Sequence, residues 1–331
     1  MVHPPPNRKD APAVTEVEIT EPTAVNAGIE FYDLDAVQLQ SAPLRARRVI
    51  VRLDVVTVVY HSTNLRIRTR TTIDPGLVAY VAFGPQTHGT VNGLPVRSGM
   101  MLSVNSSTEC IFVAEAGYES LAFLVSEKEF REHLAARHRD VDFHMPQSIE
   151  PLKVPPEAVS ALFDWGKRLV DLAARQPSLF NDGERERKAV EVELLETLLA
   201  TLDDSEAFET TREDRTRQAH GLIVRKAEDY VLSRAGEHVS LSDLCRVTAA
   251  SERTLQSAFQ EVVGLTPLAF LTRVRLHKVR EALLAESHGT ATVSEVALRW
   301  GFWHFGDFSR AYKSCFGELP SDTLRRAPGE R

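Results

Sequence analysis

Two stretches decide the reading of this chain: residues 241–267, LSDLCRVTAASERTLQSAFQEVVGLTP, and residues 293–320, VSEVALRWGFWHFGDFSRAYKSCFGELP. They are copies of one pattern. Leu255, Phe259, Gly264 and Pro267 of the first recur as Phe308, Tyr312, Gly317 and Pro320 of the second, all at one offset (308 − 255 = 53). Upstream, Leu244-Cys245 matches Val296-Ala297 at an offset one shorter, so the second copy has one extra residue in its turn. Each copy predicts helix, short turn, helix. In the first, Leu241 to Val247 is followed by a turn at Thr248-Ala249-Ala250, then by Glu252 to Val263 with Ser251 as N-cap and Gly264 as stop. In the second, Val293 to Trp300 leads through Gly301 to a helix from about Phe305 to Cys315, stopped by Gly317. Pro267 and Pro320 bar continuation.

Two short helices crossing around a small turn can place the second of them in a DNA major groove, although any small helical core could use the same pattern. On the second helix of unit one, Leu255, Ala258, Phe259 and Val262 share the buried face, leaving Glu252, Arg253, Gln256, Ser257 and Gln260 outside. Arg pairs bidentately with guanine and Gln with adenine, so Arg253 and Gln256 have base-reading chemistry. On an arbitrary helix such residues are more often simply solvated. Between the units, Leu268 to Leu284 predicts a helix carrying Arg273, Arg275, Lys278 and Arg280, long enough at roughly 1.5 Å per residue to span about 25 Å. Such a helix could set the two units on successive groove faces.

With these residues assembled, residues 222–326 resemble the DNA-binding domain of the AraC/XylS family of bacterial transcription regulators. The resemblance rests on Ser251-Glu252-Arg253-Thr254-Leu255-Gln256-Ser257-Ala258-Phe259, Gly264-Leu265-Thr266-Pro267, Val296-Ala297-Leu298-Arg299-Trp300-Gly301-Phe302, Phe308-Ser309-Arg310-Ala311-Tyr312-Lys313, Phe316-Gly317 and Pro320. It implies double-stranded DNA as partner, with Arg253, Gln256, Ser257 and Gln260 of unit one, and Phe305, Gly306, Ser309, Arg310 and Lys313 of unit two, as DNA-binding candidates. It also implies RNA polymerase as a partner, a small-molecule effector, a homodimer, activation of transcription and a bacterial cytoplasmic, nucleoid-associated location. Phe305 and Gly306 depart from the polar residues often found there in the family, and Gly inside a helix costs roughly 1 kcal/mol relative to Ala. Unit one is therefore expected to carry most of the base reading.

The remainder of the chain predicts a separate domain. Residues 1–25, with Pro4-Pro5-Pro6, predict a disordered arm without the apolar core of a signal peptide. From Val49 to Val125 short β-rich runs follow one another; Leu65-Arg66-Ile67-Arg68-Thr69-Arg70-Thr71 alternates a cationic with an apolar or Thr face, and Asn92-Gly93 supplies a hairpin turn. The fold expected is α+β: residues 26–145 a β-barrel or sandwich (cupin-like) sensing domain with flanking helices, followed by an all-α domain of two helix-turn-helix units joined by a linker helix. Residues 146–203 predict helices. The stripe Val190, Leu194, Leu195, Leu198, Leu199 and Leu202 is open to packing either on the same chain or on a second copy. Residues 204–219 read as a polar linker.

Within the β-rich domain, Tyr60, His61, Arg66, Arg68, Phe83 and His88, with Tyr80, are candidates to line an effector pocket in which Arg would suit a carboxylate; ordinary core and surface roles compete for each. An enzyme is the opposing reading. His61 and His88 stand alone and His133 and His138 do not have i, i+4 spacing, so no catalytic residue, metal site or cofactor is expected. Cys110, Cys245 and Cys315 are too widely spaced to suggest a disulfide framework or zinc site. No segment has the roughly 20 apolar residues of a membrane span. The chain is 331 residues with a net charge of −7, whereas from residue 219 onward 15 Lys and Arg stand against 13 Asp and Glu. A sequence-tolerant, nucleoid-type DNA binder would carry a much larger positive charge there, so near-neutrality favours a reader of sequence.

Overall fold

The computed structural model describes residues 11–106, 108–136, 146–285 and 291–326. Its N-terminal part is built from β1 (Val14–Ile19), β2 (Tyr32–Gln38), β3 (Ala46–Arg52), β4 (Val56–Thr63), β5 (Ile67–Ile73), β6 (Leu77–Phe83), β7 (Gly89–Val91), β8 (Leu94–Pro95), β9 (Met100–Asn105), β10 (Glu109–Ala114), β11 (Tyr118–Ser126), β12 (Ile149–Lys153) and β13 (Glu206–Ala207). These form two antiparallel sheets, in the orders β1-β3-β4-β11-β6-β9-β12-β13 and β2-β5-β10-β7-β8. Neither order returns to its first strand, so the expected barrel or sandwich takes the form of two open sheets, not a closed barrel. The fold class is α+β. Asn92 and Gly93 both have positive φ, 47° and 81°, which is the two-residue turn that joins β7 to β8.

One core lies between the sheets, contributed by Ile50, Val59, Ala79, Leu102 and Leu124 of the larger and Tyr32, Ile67, Ile73 and Cys110 of the smaller. A second lies on the outer face of the larger sheet, which is covered by α1 (Glu127–Ala135), α2 (Pro156–Arg175), α3 (Ser178–Asn181) and α4 (Glu184–Asp203). Leu194, Leu195, Leu198 and Leu199 of α4 are buried here within one chain. Of the two alternatives for that stripe, packing on the same chain is the one observed.

Two sequence expectations are corrected. Residues 14–24 are not a disordered arm: β1 pairs with β3 from Val14 opposite Val51 to Ile19 opposite Ala46, and Pro22–Ala24 form a 3-10 turn. The alternating Val-Thr-Glu-Val-Glu-Ile is a strand pattern that the flanking prolines and charges obscured. Nor is 204–219 a linker throughout, because α5 (Arg212–Ser233) starts inside it behind a Thr211/Asp214 capping box. The polar composition is that of a helix held by ion pairs: the fully buried Asp214 carboxylate pairs with Arg97.

The C-terminal part continues with α6 (Leu241–Thr248), α7 (Glu252–Val262), α8 (Pro267–Ala285), α9 (Val293–Arg299), α10 (Phe305–Phe316) and α11 (Pro320–Leu324). Boxes at Ser240/Asp243 and Thr292/Glu295 start the first helix of each unit, and Ser251 caps α7 at 3.1 Å from the Thr254 amide. Ala249 (φ 54°) and Gly301 (φ 80°) turn the chain between the helices, the former at the strain a non-glycine bears in the left-handed region. The Phe259 and Phe270 rings meet edge to face at 5.7 Å in the first unit, and Phe308, Tyr312 and Cys315 fill the second. Val37 and Val113 of the smaller sheet, with Leu39 just past β2, share the core of the first unit, so one apolar cluster crosses the domain boundary.

Candidate nucleic-acid interface and ligand cavity

The face of α7 opposite its core is open. Leu255, Ala258 and Phe259 are fully buried, while Arg253, Gln256, Ser257 and Gln260 are exposed on the other side, as the 3.6-residue period dictates. The Gln256 amide is held at 3.2 Å by the Glu252 carboxylate one turn earlier. This is a rigid element presenting an Arg and two amides that carry both donors and acceptors, the chemistry needed at the edges of base pairs.

On α10 the corresponding surface is of a different kind. Phe305 is 42% exposed, Gly306 is exposed with open space where a Cβ would stand, Ser309 is half-buried, and Arg310 and Lys313 are exposed. The Arg310 guanidinium pairs with Asp307 on the same helix. Trp303, 61% exposed in the turn before α10, adds an aromatic that sequence reading did not single out. Its only signal was negative: it precedes the helix and lies off the apolar face formed by Phe308 and Tyr312.

The basic residues of α8 do not join this surface. Arg273 donates to the Gln38 carbonyl at 3.1 Å, Lys278 pairs with Asp35 at 3.0 Å and Arg280 with Glu21 at 2.8 Å, all in the N-terminal domain. Arg275 turns to the Glu237 carbonyl at 2.9 Å. The smaller sheet and the segment preceding it present carboxylates and free carbonyls to α8, and these take its cations.

Most of the effector candidates are likewise not brought together. Tyr60 faces the helical side, where its hydroxyl donates to Glu119 and Lys167 sits over its ring; Tyr80 lies there too, against Phe130 at 6.1 Å. Arg66 pairs with Glu115 at 2.8 Å and reaches the Val262 carbonyl, and Arg68, 1% exposed, pairs with Asp35 and with the buried Glu228 of α5. Phe83 packs edge to face on Tyr118, and His88 is exposed. His61 alone of the six lines the cavity between the sheets. His138 lies outside the described residues, and among those described no cluster of His, Cys, Asp and Glu could hold a metal.

That cavity has a volume of about 140 Å³ and walls that are mostly apolar, including Ile67, Val81, Phe112 and Leu124. At one end stand Tyr32, Arg48 and His61. The Tyr32 hydroxyl lies 2.6 Å from His61 Nε2, and Arg48 Nε donates to His61 Nδ1 at 3.3 Å. Burial and the Arg48 charge hold the imidazole well below its usual pKa, so it is neutral; burial pushes the Tyr32 hydroxyl up to about 12.

The smaller sheet separates this cavity from the DNA-binding part, and strand alternation gives each side its own residues. Tyr32 and Leu34 of β2, Thr69 and Thr71 of β5, and Cys110 and Phe112 of β10 line the cavity. Residues alternating with them face the other way: Asp35 pairs with Lys278, Arg70 with Asp229 at 2.7 Å and Glu109 with Arg225 at 3.1 Å.

Comparison with known proteins agrees with the C-terminal geometry. Residues 244–326 match the family model described as a helix-turn-helix domain. The chain is similar to the probable thc operon regulatory protein of Rhodococcus erythropolis, 40% identical over 32% of this chain and 32% of that protein, and to the XylDLEGF operon transcriptional activator of Pseudomonas putida, 38% identical over 28% and 29%. It thus spans about a third of the length of these curated relatives. A crystal structure of a probable AraC family transcriptional regulator from Rhodopseudomonas palustris is 37% identical over 32% of this chain and 98% of that one, with a TM-score of 0.30. No helix among the described residues is long and apolar enough to cross a membrane. With the duplicated helix pairs, their caps and the matched residues in one place, the C-terminal region of this chain belongs to the AraC/XylS family of helix-turn-helix regulators.

Proposed function

We propose that this chain is a sequence-specific DNA-binding transcription regulator of the bacterial cytoplasm, an effector-responsive activator that works as a homodimer and engages RNA polymerase. The observation that carries the DNA-reading part is the exposed Arg253-Gln256-Ser257-Gln260 face on a helix whose opposite side is fully buried. Activation follows the name of the Pseudomonas putida relative. In this reading α7 supplies most of the discrimination. The α10 surface positions the domain, with Arg310 and Lys313 on phosphates and Phe305 against a thymine methyl.

The effector is read through the smaller sheet. Its inward residues line the cavity of the cupin-like sensing domain and its outward residues grip α5 and α8, so a change in strand position on one side is felt on the other. A small molecule alters DNA binding to the extent that it prefers one of the two arrangements.

Selection from random duplexes at near-physiological salt tests the DNA-reading part. The wild type is expected to enrich a defined motif, and Arg253→Ala/Gln256→Ala to bind that motif at least ~30-fold more weakly, since each bidentate contact contributes about 1–3 kcal/mol of discrimination. Phe305→Ala is expected to lose less specificity than Arg253→Ala. The reverse order would sink the assignment of reading to α7, and enrichment of no motif would favour a sequence-tolerant binder.

A further inference from the structure

Among the described residues, Arg48 differs from the deeply buried Arg68 and Arg280 in having no counter-charge. Arg68 has Asp35 and Glu228, and Arg280 has Glu21 and Glu318. Arg48 is 1% exposed, yet its partners are all neutral: the Val25 carbonyl at 2.6 Å, the Ala27 carbonyl at 3.0 Å, the His61 ring and the Tyr32 hydroxyl oxygen. Among the described residues no Asp or Glu forms an ion pair with it. Neutral dipoles occupy its Nε and Nη1 donors and leave the full positive charge uncompensated, an expensive arrangement in a protein interior. The charge stands at the wall of a mostly apolar cavity.

The hydrogen-bond network around it supplies a second polar group. Because Arg48 Nε donates to His61 Nδ1, the neutral ring carries its proton on Nε2 and donates to the Tyr32 oxygen. That leaves the Tyr32 O–H free to donate in turn, beside the guanidinium. A cation and a hydroxyl donor side by side at the end of a greasy chamber are complementary to one group above others, a carboxylate.

We propose that the cavity between the two sheets binds a small organic monocarboxylate, its carboxylate on Arg48 and Tyr32 and its compact apolar body against Ile67, Phe112 and Leu124. An apolar cavity of about 150 Å³ accommodates benzene, so the body is of about six carbons. This rests on the effector reading for its regulatory meaning, but not for the binding itself.

Isothermal titration of the full-length chain at pH 7.5 tests it, using hexanoate and cyclohexanecarboxylate against their neutral amides. The acids are expected to bind one per chain and at least ~10-fold more tightly than the amides. Arg48→Gln is expected to bring acid and amide within ~3-fold of each other. Should that variant not fold, Tyr32→Phe, which keeps the ring and loses the donor, is expected to weaken the acids ~3- to 10-fold and leave the amides unchanged. Amides binding as tightly as acids, or no acid binding, overturns the proposal. DNA affinity measured with and without the acid separates the two readings: acid binding with unchanged DNA affinity upholds this proposal and removes the effector reading.

Discussion

Replacing Arg68 with Met is expected to destabilise the chain by about 3–5 kcal/mol, the largest effect of any single polar substitution at the domain boundary. The guanidinium is 1% exposed and pairs with Glu228, itself 2% exposed, and with Asp35 at 2.8 Å. Removing it strands the Glu228 carboxylate in a dry interface between β5 and α5, where it must either be buried unpaired or take up a proton. Asp35 loses the guanidinium that, with Lys278, holds its carboxyl down at about 2. Urea denaturation checks the loss, and hydrogen exchange should show α5 amides opening before those of the larger sheet. The double variant Arg68→Met/Glu228→Gln removes both charges and is expected to recover most of the stability. If the single variant costs under about 1 kcal/mol, the interface seen here does not hold the domains in solution.

Acid is expected to undo the same boundary well above the range in which carboxylates titrate. His277 of α8 is fully buried; its Nε2 accepts from the Gln38 amide at 3.1 Å. Burial pushes its pKa down to about 3, against an opposing pull from Asp35 and with help from Arg273, Arg68 and Arg280 around it. His61 is depressed for the same first reason, with Arg48 beside it. Both bases have folded pKa values below the unfolded value of about 6.5. The unfolded chain therefore takes up protons that the folded chain refuses, so stability is full above about pH 6.5 and falls as pH drops below it. At pH 5 His277 is expected to have cost about 2 kcal/mol, and His61 adds a loss of the same sign. The paired carboxylates, such as Asp35, contribute their own loss only further down. Stability measured from pH 8 to pH 5 in His277→Gln, which keeps an acceptor for Gln38, is expected to fall by about 2 kcal/mol less than in the wild type. A profile flat to pH 5 in the wild type would show that neither ring is held neutral.

Much of the C-terminal region was legible because its signals are local. The 53-residue repeat, the Ser251 cap, the stops at Gly264 and Gly317 and the apolar face of α7 all lie within a few turns of helix, where spacing alone decides which side is buried. The same holds for the β5 alternation and the Asn92-Gly93 turn. Composition misled where polar residues are structural. Residues 212–219 read as a linker because nothing in them is apolar enough to announce a core, yet Asp214 is fully buried through its cap and Arg97.

By itself, then, the sequence determined that there are two helix-turn-helix units, which side of α7 is outward, and that Arg66, Arg68 and Arg70 share one face of a strand. Only the tertiary structure decided what each face meets. Arg68 and Arg70 of β5 and Arg273, Lys278 and Arg280 of α8 are spent on the domain boundary, and Arg48, which no motif marks, stands at the cavity. Periodicity fixes the direction of a side chain relative to its own element. Its partner is set by packing between segments far apart in the chain: Arg68 and Glu228 are 160 residues apart, and Arg280 and Glu21 are 259 apart. The desolvation that gives these charges their energetic weight exists only once those segments have met.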